Sequence, residues 1–383
     1  MPAATGSRAA APSWGTRLPP DVSTPSRVAE PGEAVSYEEL QLAARNHGLP
    51  LEAMAYDLTP TGLHYLLTHY DIPVLDAAAW RLRVGGLVEH PLEISLDELR
   101  SMPRRTVTVT FECAGNGRAS SEPRAQSQPW LVEAVGTAAW TGVPLTRLLE
   151  RAGVQQGAVD VVFTGADHGV ERGVEQDYQR ALDVGAASAE DVVVAYEMNG
   201  AALPPQHGFP ARLVVPGWYG MAQVKWLTGI AVIAERFDGF QHHAYRLRGD
   251  ADEAGEALTR IEPRALLVPP GFPDFYSRTR VLRPGPVEVQ GRAWSGWAPV
   301  TGVALSVDGG TTWAETSLDE GPADSPHAWR RWRARWDPSP GEYVLCARAH
   351  DASGRSQPVE ASWNRGGFAN NSSQRVRVVC LPG

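Results

Sequence analysis

The stretch RTVTVTFECAGNGR, residues 105–118, alternates threonine with apolar residues and then runs through a cysteine into a turn rich in glycine and asparagine. The alternation predicts a β-strand with two different faces. Val107, Val109, Phe111 and Cys113 share one parity, so Cys113 is predicted to lie on the inner face. Taken alone, this cysteine is typical of a small buried apolar residue, because a thiol nucleophile would also need a nearby base.

Length and composition limit the classes of protein that the chain can be. It has 383 residues, 43% hydrophobic and 21% charged, which is typical of a soluble globular protein with two domains. The net charge of −9 argues against a nucleic-acid partner. Three cysteines do not form a disulfide framework, and the apolar runs are too short to span a membrane. We therefore expect a cytoplasmic protein without a membrane partner.

Pattern changes along the chain predict an α+β domain over residues 38–250. Before it, residues 1–37 are rich in proline and alanine and predict a disordered tail without an export signal. The segment SYEELQLAARNHG, residues 36–48, has helical spacing behind a serine. Ser95 is placed to cap a short helix that ends before Pro103. The remaining residues of this domain mix short strands, turns and helices.

The C-terminal part has the pattern of an all-β domain. Residues 251–280 are punctuated by proline and predict a linker, and residues 281–383 predict an immunoglobulin-like sandwich of about seven strands. A hairpin turn is expected at Asp308-Gly309. In WRRWRARW, residues 329–336, the even-numbered Trp332 and Trp336 share one face and arginines share the other. The acidic net charge favours a sandwich strand over a nucleic-acid surface here.

The run Cys-Ala-Gly-Asn-x-Arg at 113–118 resembles the metal-binding motif of the sulfite oxidase family of molybdenum enzymes. AYEMNGAALPPQHGFPARLVVPGWYGMAQVKWL, residues 195–227, resembles that family's second signature. SVDGGTTW at 306–313 and WNRGGFANN at 363–371 are similar to its C-terminal dimerisation domain. The resemblance covers about residues 38–383. It implies the family's α+β cofactor domain followed by a sandwich that makes a homodimer.

The resemblance implies a molybdenum ion held by a molybdopterin, with Cys113 as the single protein ligand. A soft thiolate suits such a centre, and the pterin brings the other sulfurs. Spacings typical of zinc, iron–sulfur or haem sites do not occur in the sequence. The positions that match the family's cofactor-binding residues are Tyr65, His69, Asp167, His207, Arg212, Gln223, Val224 and Lys225.

The substrate pocket is matched less closely. Arg118 stands where the family places an arginine for the substrate, and Trp130 matches a tryptophan of the pocket wall. Tyr245 and Arg365 match the active-site tyrosine and the arginine of the C-terminal domain, each with an offset of one residue. Leu67 departs from the pattern, because animal and plant sulfite oxidases carry an arginine there. A missing cation should weaken the binding of a small oxyanion.

The resemblance implies oxygen-atom transfer that oxidises sulfite to sulfate, with electrons passed to a separate acceptor. Leu67 keeps two alternatives within the fold open: a reductase of nitrate or sulfoxides, and a dehydrogenase of protein-bound sulfane sulfur. The sandwich disfavours the small sulfoxide-reductase branch, which lacks it. A non-catalytic assembly or adhesion protein is a third alternative. The joint presence of Cys113, Arg118, His207 and Arg212 argues against it.

Overall fold

The computed structural model describes residues 27–321 and 325–382. Most of the predicted tail, residues 1–26, lies outside them. Residues 27–36 belong to the same predicted tail but pack against the α+β domain. Val28 forms a β-bridge with Ala125, and Ala29 is buried. The packed part of the chain therefore includes residues before the predicted boundary at 38.

Short helices surround the sheets of the first domain. Ser36 and Ser95 each accept a hydrogen bond from the backbone of a glutamate three residues later, and each glutamate side chain accepts one from the serine backbone. These capping boxes confirm the two predicted helix starts. The α-helices are α1 (Tyr37–Arg45), α2 (Leu96–Ser101), α3 (Leu145–Ala152), α4 (Val184–Ala187) and α5 (Phe240–Ala244). Single 3₁₀ turns span Leu51–Ala55, Thr61–Leu63, Arg118–Ser120, Pro205–His207 and Gly220–Ala222.

Two sheets form the frame of the first domain. Its strands are β1 (Arg81–Gly86), β2 (Leu92–Ser95), β3 (Arg105–Glu112), β4 (Val135–Pro144), β5 (Asp160–Glu171), β6 (Val174–Asp183), β7 (Val193–Met198), β8 (Ala201–Ala202), β9 (Arg212–Val214) and β10 (Leu227–Ile233). One sheet has the order β2-β1-β10-β5-β6, in which only β1 and β10 run parallel. The other has the order β3-β4-β7-β8, with β9 also paired to β7. The mixture of helices and mostly antiparallel strands confirms the α+β prediction.

Strand β3 carries the stretch that alternates in sequence. Val107, Val109 and Phe111 are buried on one face, where they pack with Trp140 of β4. Cys113 follows the last residue of the strand and is buried in the same apolar cluster. The predicted inward orientation of Cys113 is confirmed.

The second domain is a sandwich of two sheets, as predicted. After a small pair β11 (Arg246–Leu247) and β12 (Glu256–Ala257), its strands are β13 (Arg264–Leu267), β14 (Phe272–Pro273), β15 (Arg280–Leu282), β16 (Val287–Trp294), β17 (Val300–Ser306), β18 (Ala314–Glu315), β19 (Ser317–Leu318), β20 (Arg330–Trp336), β21 (Gly341–Asp351) and β22 (Val376–Cys380). The sheet orders are β13-β16-β20-β19 and β14-β15-β22-β21-β17-β18. Strand β13 lies inside the predicted linker, so the sandwich begins earlier than residue 281.

The sandwich is joined to the first domain by a shared apolar cluster. Ala114 and Tyr219 of the first domain pack with Trp294, Trp329 and Phe368 of the second. Nearby, the backbone N–H of Ala369 donates to the carbonyl of Ala114 at 2.8 Å. The turn after Cys113 is therefore supported by the C-terminal domain. None of the helices formed by residues 27–321 and 325–382 is long and apolar enough to cross a membrane, and the cytoplasmic location stays a prediction.

Candidate active site

An inner cavity opens where β3 ends. Its lining comes largely from two segments of the chain, one from His64 to His69 and one from His207 to Lys225. The predicted cofactor residues that line it are Tyr65, His69, Asp167, His207, Arg212, Gln223 and Lys225. The fold therefore brings together residues that are more than 150 positions apart in sequence.

Buried cations dominate one end of this cavity. The guanidinium of Arg212 donates to the carbonyls of His207 at 3.0 Å and Gln223 at 2.9 Å, and Lys225 Nζ donates to the carbonyl of Leu67 at 2.6 Å. Burial lowers the pKa of Arg212 to about 10 and also lowers the pKa of Lys225, which the charge of Arg212 lowers further. Asp167 opposes that effect at Lys225. These cations hydrogen-bond mainly to carbonyls, which do not neutralise their charge.

Two polar atoms at the cavity have no hydrogen-bond partner among the described residues: Asp167 Oδ1 and His64 Nε2. Buried polar atoms are normally paired, so each needs a ligand or water. Burial raises the pKa of Asp167, while it lowers that of His64 to about 4 and that of His207 to about 2. An anionic group that also carries hydrogen-bonding ring atoms fits this donor set. The pterin phosphate of molybdopterin has that chemistry.

Cys113 lines the inner cavity directly after the end of β3. Its backbone N–H donates to the carbonyl of Ala134 at 2.9 Å, and its own carbonyl accepts from Asn116 at 3.0 Å. Burial raises the pKa of the Cys113 thiol, and the charge of Arg118 opposes that rise. Cys346 and Cys380 are buried in β21 and β22 of the sandwich. Among the described residues, no group of three or more His, Cys, Asp and Glu side chains could hold a metal.

A wider outer cavity adjoins the inner one. Leu67, His69, Cys113 and Tyr245 line both cavities and therefore mark their junction. Arg118 and Arg365 line the outer cavity. The predicted cofactor residues thus lie mainly inside the junction, and the predicted substrate residues lie mainly outside it.

Arg118 is held rigidly in the wall of the outer cavity. Its Nε donates to the carbonyl of Gly366 at 2.9 Å, and its guanidinium lies 5.0 Å from the centre of the Phe368 ring. A Cβ atom added to Gly115 would lie 2.7 Å from the guanidinium carbon, so glycine is required there for close approach. Arg118 is 6% exposed, and burial lowers its pKa. It remains a cation at neutral pH and faces the cavity.

Tyr245 and His69 form a polar pair at the junction. Tyr245 Oη and His69 Nε2 share a hydrogen bond of 2.8 Å. Burial raises the pKa of Tyr245 and lowers that of His69, so both side chains are neutral near pH 7. This pair can hold or pass a proton at the edge of the substrate space.

Two predicted site residues do not line either cavity. Val224 is fully buried in the apolar core, and its backbone N–H and carbonyl bond to Ala222 and Leu213. Its side chain is thus structural. Trp130 is buried in the apolar cluster that contains Cys113, behind the cavity surface. Gln223 lines the inner cavity, but its side-chain amide bonds to the backbone of Val215 and Trp218.

Sequence reasoning missed several residues of the site. His64 and Tyr178 line the inner cavity, where the Tyr178 ring lies 5.0 Å from His69 and its hydroxyl donates to the carbonyl of Met221 at 2.7 Å. Arg172 lines the outer cavity. His64 directly precedes Tyr65, a predicted cofactor residue, so its position in the sequence could have indicated it. Tyr178 and Arg172 lie on a hairpin without a motif, and only the packing identifies them.

Comparison with protein families matches residues 69–241 to the oxidoreductase molybdopterin binding domain and residues 276–380 to the Mo-co oxidoreductase dimerisation domain. Chicken sulfite oxidase is 35% identical over 335 residues, which cover 83% of this chain and 72% of that protein. Mouse mitochondrial sulfite oxidase is 33% identical over 85% of this chain and 62% of that protein. An NADH nitrate reductase of Solanum lycopersicum is 31% identical over 85% of this chain, but the chain spans only 39% of its length.

Among solved structures, the sulfane dehydrogenase SoxCD from Paracoccus pantotrophus aligns over 98% of this chain and 94% of the matched chain. The TM-score is 0.76 and the sequence identity is 26%. Both domains are therefore shared with these proteins. The residues at the inner cavity fit the molybdopterin-bound molybdenum that such domains carry.

Proposed function

The chain belongs to the sulfite oxidase family of molybdopterin-dependent oxidoreductases, and on that premise we propose that it oxidises sulfite to sulfate and passes the electrons to a separate acceptor. The observation that carries this proposal is the position of Arg118, a buried cation that lines the outer cavity together with Cys113. A fixed guanidinium can hold two oxygens of a small oxyanion. Sulfite and sulfate are such anions, whereas a neutral sulfoxide gains less from it.

The inner cavity would hold the cofactor. Cys113 would ligate the metal as a thiolate, and Arg212, Lys225 and His207 would bind the phosphate end of the pterin. When bound, this group supplies two-electron oxygen-atom transfer chemistry. The protein's own share is to orient the substrate, to exclude water from the inner cavity and to keep the cofactor's charge compensated.

The overall reaction converts sulfite and water into sulfate, two protons and two electrons. The protons need an acceptor near the junction, and the hydrogen-bonded Tyr245 and His69 are placed there. Because His69 is neutral near pH 7, it can take a proton at a ring nitrogen. The Tyr245 hydroxyl can hold an oxygen of the substrate by donating a hydrogen bond to it.

We also propose that two chains pair through the sandwich, since this domain matches a dimerisation domain. The loop before β15 presents two aromatic side chains to solvent, Phe275 at 77% and Tyr276 at 90% exposure. Exposed apolar groups of this size are typical of interaction sites. A homodimer would cover them.

A second candidate function is the oxidation of sulfane sulfur carried on a larger molecule. Leu67 lines the junction where sulfite oxidases of animals and plants carry an arginine, and the outer cavity is wide. An apolar side chain beside a wide entrance suits a sulfur atom on a carrier better than a free dianion. The overall likeness to a sulfane dehydrogenase agrees with this alternative.

Steady-state kinetics with three substrates would test the proposal. Purified molybdenum-loaded protein is assayed with sulfite and an artificial electron acceptor, with nitrate and an artificial donor, and with a persulfidated peptide and the acceptor. We expect the highest kcat/KM with sulfite. A higher value with nitrate or with the persulfide would overturn the proposal in favour of that substrate. Arg118→Ala should lower kcat/KM for sulfite, whereas Arg151→Ala, an exposed helix residue, should not.

A further inference from the structure

An exposed arginine stands at the tip of the β5–β6 hairpin, on the rim of the outer cavity. The hairpin closes with Glu171 paired to Val174, so Arg172 and Gly173 form its two-residue turn. Both have a positive φ, 51° and 77°. Such turns favour asparagine, aspartate or glycine at the first position, because other residues are strained there. Arginine at this position does not stabilise the turn, so we expect its side chain to have a function of its own.

The surroundings of Arg172 leave its charge available. Within residues 27–321 and 325–382, Arg172 takes part in no ion pair. Its guanidinium lies 6.0 Å from the centre of the Phe240 ring, at the start of the helix that leads to Tyr245. Glu171 also lines the cavity, and Gln241 Nε2 donates to its carboxylate at 3.3 Å.

The positive charge of Arg172 acts on Arg118, the proposed substrate-binding cation. Burial is the main cause of the lowered pKa of Arg118, and the positive charge of Arg172 lowers it further. The two positive charges repel each other in the free protein, and an anion bound between them offsets this repulsion. Leu67 lines the same cavity without a charge.

We propose that Arg172 supplies a second substrate-binding cation beside Arg118, in place of the one that position 67 lacks, and so strengthens the binding of oxyanions at this site. The proposal rests on the proposed function only in that the substrate is an anion. It places the cation on the tip of the β5–β6 hairpin, at the rim of the outer cavity. An exposed cation should contribute less than a buried one, and it should act on binding more than on the chemical step.

The test uses Arg172→Asn and Arg172→Lys in the molybdenum-loaded protein. Asparagine suits the turn, so Arg172→Asn should melt at the same temperature as the parent or higher. We nevertheless expect its KM for sulfite to rise about two- to fivefold with little change in kcat. Arg172→Lys keeps the charge and should recover most of the affinity. Arg278→Asn is the matched control, because Arg278 is also exposed at a positive φ of 56° but lies in the sandwich.

A binding measurement separates this inference from the proposed function. Sulfate binding to the same proteins is followed by calorimetry at low and physiological salt, without turnover. Weaker sulfate binding by Arg172→Asn but not by Arg278→Asn would support the role of Arg172, even if sulfite proved not to be the substrate. Unchanged sulfate affinity and unchanged KM in Arg172→Asn would overturn it.

Discussion

The carboxylate of Glu112 lies 3.1 Å from Arg264 Nε, and this ion pair connects the residue beside Cys113 to the first strand of the sandwich. Both side chains are at most 2% exposed. Trp294 Nε1 donates to the other carboxylate oxygen at 2.7 Å, and Asn116 Nδ2 donates to the first at 3.1 Å. The sandwich therefore supports the turn that presents Cys113, in addition to any part in dimerisation.

Substituting one partner of this ion pair should destabilise the protein more than substituting both partners together. Arg264→Met or Glu112→Gln leaves one charge buried, and either should lower the free energy of unfolding by about 3–5 kcal/mol. The double variant removes both charges and should lose clearly less. Chemical unfolding of the four proteins gives the coupling energy. If the two single losses simply add in the double variant, the two side chains do not act as a pair.

Cys113→Ser should abolish activity and lower the molybdenum content below that of the parent protein from the same molybdenum-replete host. The reason is that serine replaces a soft thiolate by a hard hydroxyl at the proposed metal ligand. Elemental analysis and the molybdenum electron paramagnetic resonance spectrum are the measurements.

Cys346→Ser and Cys380→Ser are the controls for Cys113→Ser, since both cysteines lie in the sandwich. Metal content and spectrum should match the parent in each. A Cys113→Ser protein with the parent's spectrum and turnover would refute the assignment of the ligand.

Leu67→Arg should lower the KM for sulfite by about tenfold if the new guanidinium reaches the junction, because a hydrogen bond to a charged group contributes about 1.5–3 kcal/mol. Arg118→Ala should raise the same KM by about ten- to a hundredfold. Melting temperatures show whether either variant is merely misfolded. If Leu67→Arg folds normally and leaves the KM unchanged, residue 67 does not contact the substrate.

The double variant Phe275→Ser/Tyr276→Ser should weaken the proposed homodimer about tenfold or more, because exposed aromatic side chains often dominate interfaces. Sedimentation at micromolar concentration should show about twice the chain mass for the parent and a shift towards one chain mass for the variant. Tyr37→Ser removes an aromatic side chain that is 71% exposed on the first domain, and it should leave the dimer intact. A parent that sediments as a monomer would contradict the proposal.

Acid should destabilise the fold through the histidines that line the inner cavity. Burial lowers the pKa of His64 from 6.5 to about 4, so between these pH values the unfolded state binds more protons than the folded state. The free energy of unfolding therefore has its full value, as far as His64 is concerned, above about pH 6.5. It falls as the pH falls, and at pH 4 the loss due to His64 is about 3 kcal/mol. His64→Asn keeps the donor to the Tyr65 carbonyl and should flatten this dependence. Unfolding free energies at pH 7 and pH 5 measure it, and an equal slope in both proteins would count against His64.

Local pattern was sufficient where neighbours in sequence set the structure. The alternation from Val107 to Cys113 determined the strand and the inward thiol, because side chains in a strand change face at every residue. The serine–glutamate pairs at 36 and 95 determined two helix starts, since a capping box is closed within four residues. The sandwich has seven strands of three or more residues, which agrees with the predicted number, because local alternation also identifies strands there. Motifs that resemble a known family added the cofactor residues.

Only the tertiary structure decided how these parts make a site. His69 and Tyr245 are hydrogen-bonded although 176 residues separate them. Arg118 is positioned by Gly366 of the other domain, Val224 is buried in the core, and Arg172 lies on the rim at the tip of a hairpin. Sequence periodicity reports which face a residue occupies, whereas these contacts depend on how separate sheets pack against one another. That packing is a property of the whole fold, so no single stretch of the chain encodes it.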